Sequence, residues 1–211
     1  MKARISAILS LILVLTAASG RPAGSDQRVV LAGGCFWGMQ AVFESLRGVH
    51  SVVAGYSGGN AAMAHYEVVS TGMTGHAESV YVTYDPAVVS FKQLLDVYFL
   101  VAHDPTELNR QGPDEGSQYR SEIYYTTQSQ HDAAVEYISA LERKHVYPDP
   151  IVTKLEPFRA FYPAESYHQD FALHNPDNAY IVVNDLPKIH KLREEFPQLV
   201  NPNAPTSKLG S

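Results

Sequence analysis

Hydrophobic residues along this chain change their spacing repeatedly, and those changes mark out its elements. Val29, Val30 and Leu31 form a short apolar run that reads as a strand over about 28–32. Phe36, Met39, Phe43 and Leu46 then recur at three- and four-residue steps, which predicts a helix over 35–46. A strand over 49–56 follows, then a glycine-rich loop through Tyr66 to Gly75. Over 78–84, Val80, Val82 and Tyr84 alternate with Ser79, Tyr81 and Thr83, the period of a half-buried strand. Ser90 and Gln93 have capping-box spacing, opening a helix with Phe91, Leu94, Leu95, Tyr98 and Phe99 on its inner face. A polar loop runs from His103 to Gly116, ahead of a strand over 119–126 and a helix over 128–144. Pro148 and Pro150 introduce a short strand, Ile151 to Leu155, and Pro187 opens a last helix that turns Ile189, Leu192 and Phe196 inward.

Strands and helices alternate, with one strand-to-strand step after the first helix. That order predicts an α/β (α+β) two-layer sandwich, helices on a mixed sheet, with a split β-α-β core of the ferredoxin-like kind. The 211 residues, 45 % hydrophobic and 18 % charged, suit a single domain over 27–200 followed by a polar tail over 201–211. A net charge of −6 without a Lys or Arg run argues against nucleic acid or an anionic membrane as partner. The start of the chain differs in kind. Lys2 and Arg4 precede an apolar stretch from Ile5 to Leu15, and Ala17, Ala18, Ser19 and Gly20 follow. This is the order of a secretory signal peptide over 1–20, cleaved near 19 or 20, which predicts a periplasmic or secreted protein.

The chain holds one cysteine, Cys35, in the run Gly33-Gly34-Cys35-Phe36-Trp37-Gly38. Its place on a strand-to-helix turn puts the sulfur at a helix N-terminus, where unpaired amides and the helix dipole favour a thiolate. Phe36 and Trp37 offer an apolar surface beside it. Exported proteins use cysteines mostly in disulfides, so a lone thiol there points to redox chemistry. No two histidines stand at the His-x-x-x-His spacing of a helical zinc site.

Gly34-Cys35-Phe36-Trp37-Gly38, Gly55-Tyr56-Ser57-Gly58-Gly59, Thr74-Gly75-His76-Ala77-Glu78, Arg110-Gln111-Gly112 with Gln118-Tyr119-Arg120-Ser121, and Tyr167-His168-Gln169 occur in that order. Together they resemble the A-type peptide methionine sulfoxide reductases, over roughly residues 28 to 172. The resemblance implies that Cys35 attacks the sulfur of methionine-S-sulfoxide while Glu78, kept neutral, protonates the oxygen. It also implies that Tyr66 and Tyr119 donate hydrogen bonds to that oxygen, with Asp114 in a supporting role. Phe36 and Trp37 would enclose the S-methyl group. Cys35 would be left as a sulfenic acid, with no metal or organic cofactor involved. His76 reads as structural, and His168 as lining the pocket or bonding backbone.

Many members of that family carry further cysteines near the C-terminus; none follows Cys35 here. Recycling then falls to an external thiol, expected to be thioredoxin-like. Other readings of Cys35 are an exported cysteine hydrolase or acyltransferase working with a histidine, or a binding module with Trp37 and the 13 tyrosines as a ligand platform.

Overall fold

The structure, a computed structural model, describes residues 25–210; the segment read as a signal peptide lies outside the described residues. Strand β1 (Gln27–Gly33) leads into helix α1 (Phe36–Glu44) and strand β2 (Val49–Ser57). Strand β3 (Ala77–Tyr84) lies between β1 and β2, antiparallel to both, which makes β1-α1-β2 a split crossover. Helix α2 (Phe91–Val97) carries the chain to β4 (Ser121–Tyr125), antiparallel to the other side of β1. The second crossover thus interlocks with the first, as the ferredoxin-like reading requires. After helix α3 (Gln128–Arg143), β5 (Lys154–Pro157) adds parallel to β4 and β6 (Phe161–Pro163) adds antiparallel to the end of β2. The sheet order is β5-β4-β1-β3-β2-β6. Its outer strands are four and three residues long, and each closes in a proline. Helix α4 (Leu186–Glu195) follows.

The central strand explains its own sequence. Val29 and Leu31 face the main core, while Val30 and Ala32 join Ala77 and Tyr124 in a smaller cluster. A strand covered on both faces needs a continuous apolar run rather than alternation. In α1, Phe36, Met39, Val42 and Phe43 are buried at helical spacing, as the periodicity predicts. The helix ends at Glu44, though; Leu46 lies beyond it, bridged to Val200. The Ser90–Gln93 capping box forms at the start of α2. A π-helical turn, Tyr98–Ala102, then continues that helix and brings the Tyr98 hydroxyl to the Ala32 carbonyl at 2.6 Å.

Other boundaries moved. Strand β5 begins at Lys154, not Ile151, because Val152 instead donates its amide to the Pro105 carbonyl. The glycine-rich loop contains a short helix, Tyr66–Val69. Strand β6 and the hairpin of Arg110–Gln111 with Asp114–Glu115 are too short to carry a periodic signal. Residues 201–210 pack on the domain: Thr206 hydrogen-bonds Ser45 at 2.7 Å, and Ala204 and Leu209 are buried.

Candidate active site

Strand β1 ends by delivering its glycines to the start of α1. Gly34 takes φ 94°, and a Cβ there would stand 2.5 Å from the Gln111 side chain, so the position needs glycine twice over. Cys35 follows as the N-cap of α1, with 8 % of its surface exposed. On β3, Glu78 belongs to the same alternating row as Val80, Val82 and Tyr84, which faces the main core. It is 2 % exposed, and its Oε2 accepts the Phe36 amide at 3.1 Å. An orphan donor of the first helical turn is thereby satisfied by the carboxyl group.

A cavity of about 180 Å³ opens beside them, lined by Cys35, Phe36, Trp37, Tyr66, Glu78, Asp114, Tyr119 and Tyr180. Every site residue singled out from sequence is in that set. Tyr180 was missed. It hydrogen-bonds the Asp114 carboxylate and sets its ring edge-on to Trp37, with centroids 5.7 Å apart. Only an isolated tyrosine after the Asn175-Pro176 turn marks it in sequence, a signal without chemical content. A larger groove of about 690 Å³, between α1, the start of β2 and residues 163–173, includes none of the residues lining that cavity.

Each wall is held from behind. Trp37 stacks on Phe171 at 3.8 Å, and its indole N–H donates to Nδ1 of His168 at 3.1 Å. With Nδ1 accepting, the neutral ring carries its proton on Nε2. Burial keeps the ring neutral by pulling its pKa down. Glu165 accepts from the Tyr66 amide through Oε1 and from the Tyr56 hydroxyl through Oε2, fixing the short helix that presents Tyr66. His76 is buried away from the cavity and bonds the Gly59 amide and the Asn60 carbonyl.

The electrostatics correct one expectation. The helix N-terminus by itself favours a Cys35 thiolate. In the structure burial pushes the thiol well above its ordinary range, Glu78 and Asp185 push it further, and the Trp37 amide and Lys188 only partly offset this. A solvent-excluded sulfur beside acids holds its proton until something takes it. Burial likewise raises Glu78 to about 8, against the pull of the Phe36 amide. The hydroxyls of Tyr66, Tyr119 and Tyr180 are all raised, first by burial, and so stay donors. The cavity therefore presents a neutral thiol, a neutral carboxylic acid and phenolic donors to whatever enters it.

Such a set can deliver a nucleophilic sulfur and a proton to one polar group, the equipment of a cysteine-dependent oxidoreductase. The peptide methionine sulfoxide reductase family profile matches residues 27–200. Over 179 residues the chain is 53 % identical to peptide methionine sulfoxide reductase MsrA 2 of Mesorhizobium japonicum, covering 85 % of this chain and 92 % of that one. It is 51 % identical over 174 residues to MsrA 2 of Synechocystis, covering 82 % and 81 %. Among solved structures it resembles Mxr1 from Saccharomyces cerevisiae in reduced form, with TM-score 0.69 and 32 % identity over 75 % of this chain and 90 % of that one. Methionine sulfoxide reductase A of Corynebacterium diphtheriae aligns with TM-score 0.64 and 32 % identity, over 74 % and 77 %. The chain belongs to the peptide methionine sulfoxide reductase family, in its A-type branch.

Proposed function

We propose that this chain reduces methionine-S-sulfoxide in proteins and peptides to methionine, with Cys35 as nucleophile and Glu78 as acid. The observation that carries the assignment of roles is the buried Glu78 carboxyl on the Phe36 amide, one residue from the sulfur and in the same cavity. Sulfoxide oxygen leaves only when protonated. A carboxyl group raised to about 8 still holds a proton at neutral pH to give. Tyr66 and Tyr119 donate to the same oxygen, which positions it toward Glu78. Phe36 and Trp37 take the S-methyl group, and Asp114, tied to Tyr180, braces the ring that packs on Trp37.

The reaction balances without a cofactor. The Cys35 sulfur gives an electron pair to the sulfoxide sulfur, whose bond to oxygen breaks. The released oxygen, as hydroxide or water, then bonds to the Cys35 sulfur as the new sulfur–sulfur bond breaks, and methionine departs as thioether with that electron pair. Glu78 supplies a proton as the oxygen leaves, and the proton lost by the thiol restores the balance. Cys35 is left as a sulfenic acid. Because Cys35 is the only cysteine in the sequence, an external thiol must condense with it, releasing water, and a second thiol must free Cys35 as its disulfide forms. A thioredoxin-like protein is the proposed reductant. The apolar segment behind Lys2 and Arg4 supports an exported enzyme, and N-terminal sequencing of the mature protein tests that.

A hydrolase reading gains nothing from the geometry. His168, the histidine packed on the cavity walls, spends Nδ1 on the Trp37 indole and does not line the cavity. The deciding experiment is turnover of both sulfoxide epimers of a methionine peptide with a dithiol present, beside thioester hydrolysis. Reduction of the S epimer alone is expected. Thioester turnover without sulfoxide reduction would overturn the proposal.

A further inference from the structure

The stretch from Ile181 to Lys188 packs against the first turn of α1 at Gly38, carrying two charged side chains that the mechanism above does not use. Asp185 is 1 % exposed, and its Oδ1 meets Nζ of Lys188 at 3.2 Å. The pair sits against the first turn of α1: a Cβ added to Gly38 would stand 2.0 Å from Asp185 Oδ1 and 3.1 Å from Lys188 Nζ. The glycine that ends the Cys-Phe-Trp-Gly run therefore makes room for an ion pair, three residues along the helix from the nucleophile. Asp185 Oδ2 has no hydrogen-bond partner among the described residues, so Lys188 compensates only part of a buried carboxylate.

We infer that Lys188, held by Asp185 against Gly38, is a positioning residue that supplies the counter-charge for the Cys35 sulfur when it gives up its proton. The inference rests on Cys35 being the nucleophile. The titratable groups sharing the cavity with the sulfur are Glu78 on β3, then Tyr66, Asp114, Tyr119 and Tyr180, and one helical turn away, at Gly38, stand Asp185 and Lys188 ahead of and within α4. All but Lys188 are neutral or anionic. Lys188 is the side-chain cation that pulls the Cys35 thiol down, and it acts in the same sense on Asp114. Asp185 has two opposed effects, since it anchors the ammonium and also adds negative charge near the sulfur. A chain with no second cysteine to capture its oxidised sulfur gains from such a pair twice, because the counter-charge serves attack and then serves a sulfenate awaiting an external thiol.

The test follows the rate of Cys35 alkylation by iodoacetamide against pH, in the full-length protein. Alkylation reads the thiol whether or not the chain reduces sulfoxides, so failure here and failure of the reductase reading remain distinguishable. Lys188→Met is expected to raise the pH of half-maximal alkylation by about one unit, an order of magnitude less thiolate at a given pH below it. Lys188→Arg should restore the wild-type profile. A role confined to packing predicts no displacement in Lys188→Met, or one that Lys188→Arg fails to restore. Either result would overturn the inference.

Discussion

The amide of Phe36 donates to Oε2 of Glu78 across 3.1 Å, so the first turn of α1 and the catalytic acid share one hydrogen bond. The same contact satisfies a helix terminus and fixes the acid next to the residue that attacks. Burial decides the protonation state, because the amide pulls the carboxyl down less than desolvation pushes it up.

Replacing that acid leaves the geometry and removes the proton. Glu78→Gln keeps an oxygen for the Phe36 amide, so peptide affinity is expected to stay within a few-fold of wild type. The reductive step should slow by about 10²- to 10⁴-fold. Single-turnover release of methionine at pH 7 measures it, and a near wild-type rate would assign the proton to another group.

Stability should depend on pH through buried groups of opposite sign. Glu78 is raised from 4.5 to about 8, so its contribution is full below 4.5 and lost as pH rises to 8. His103, bonded to Tyr98 O and Ser121 Oγ, is lowered by burial from 6.5 to about 4; its contribution is full above 6.5 and lost as pH falls to 4. Between 4.5 and 6.5 the slopes oppose one another, and from 6.5 to 8 those of the raised carboxyls remain, Glu78 together with Glu44, which burial also lifts from 4.5 to about 8. Urea unfolding of the wild type should therefore show a decline over pH 6.5–8. Glu78→Gln should make that decline shallower, leaving the part that Glu44 carries, and be more stable at pH 8 by on the order of 2–4 kcal/mol. Equal slopes for the two proteins would show that Glu78 is ionised when folded.

A methyl group at Gly38 has nowhere to go, since Asp185 Cγ would stand 2.6 Å from it. Gly38→Ala should cost about 1–3 kcal/mol of unfolding free energy by overpacking, despite the better helix propensity of alanine. Denaturant titration gives the value. A stabilised variant would mean that the charged pair yields without cost.

Without reductant the enzyme should release at most one methionine per chain and stop. Dimedone should then label Cys35 stoichiometrically, as mass spectrometry will show, and Cys35→Ser should release none. Continued turnover in the absence of thiol would contradict a single-cysteine cycle.

Much of this architecture was legible because its strands and helices carry clean periodicities. The β3 row Glu78, Val80, Val82, Tyr84 shows both sides of that legibility, since the alternation that places three apolar side chains in the core also places the acid there. The Ser90–Gln93 box was readable for the same local reason. Tyr180 was not, because its role comes from a tertiary contact with Asp114 that no spacing encodes. The charge state of Cys35 was misread because a helix N-terminus is a local feature. The burial and acidic neighbours that outweigh it arrive from β3 and from the approach to α4.

The two prolines that close the outer strands have a further effect. Pro157 and Pro163 remove an amide from each rim, and neither rim is long enough to template pairing with another chain. To a polypeptide bearing methionine sulfoxide, the molecule thus offers a cleft to enter and no ladder to extend.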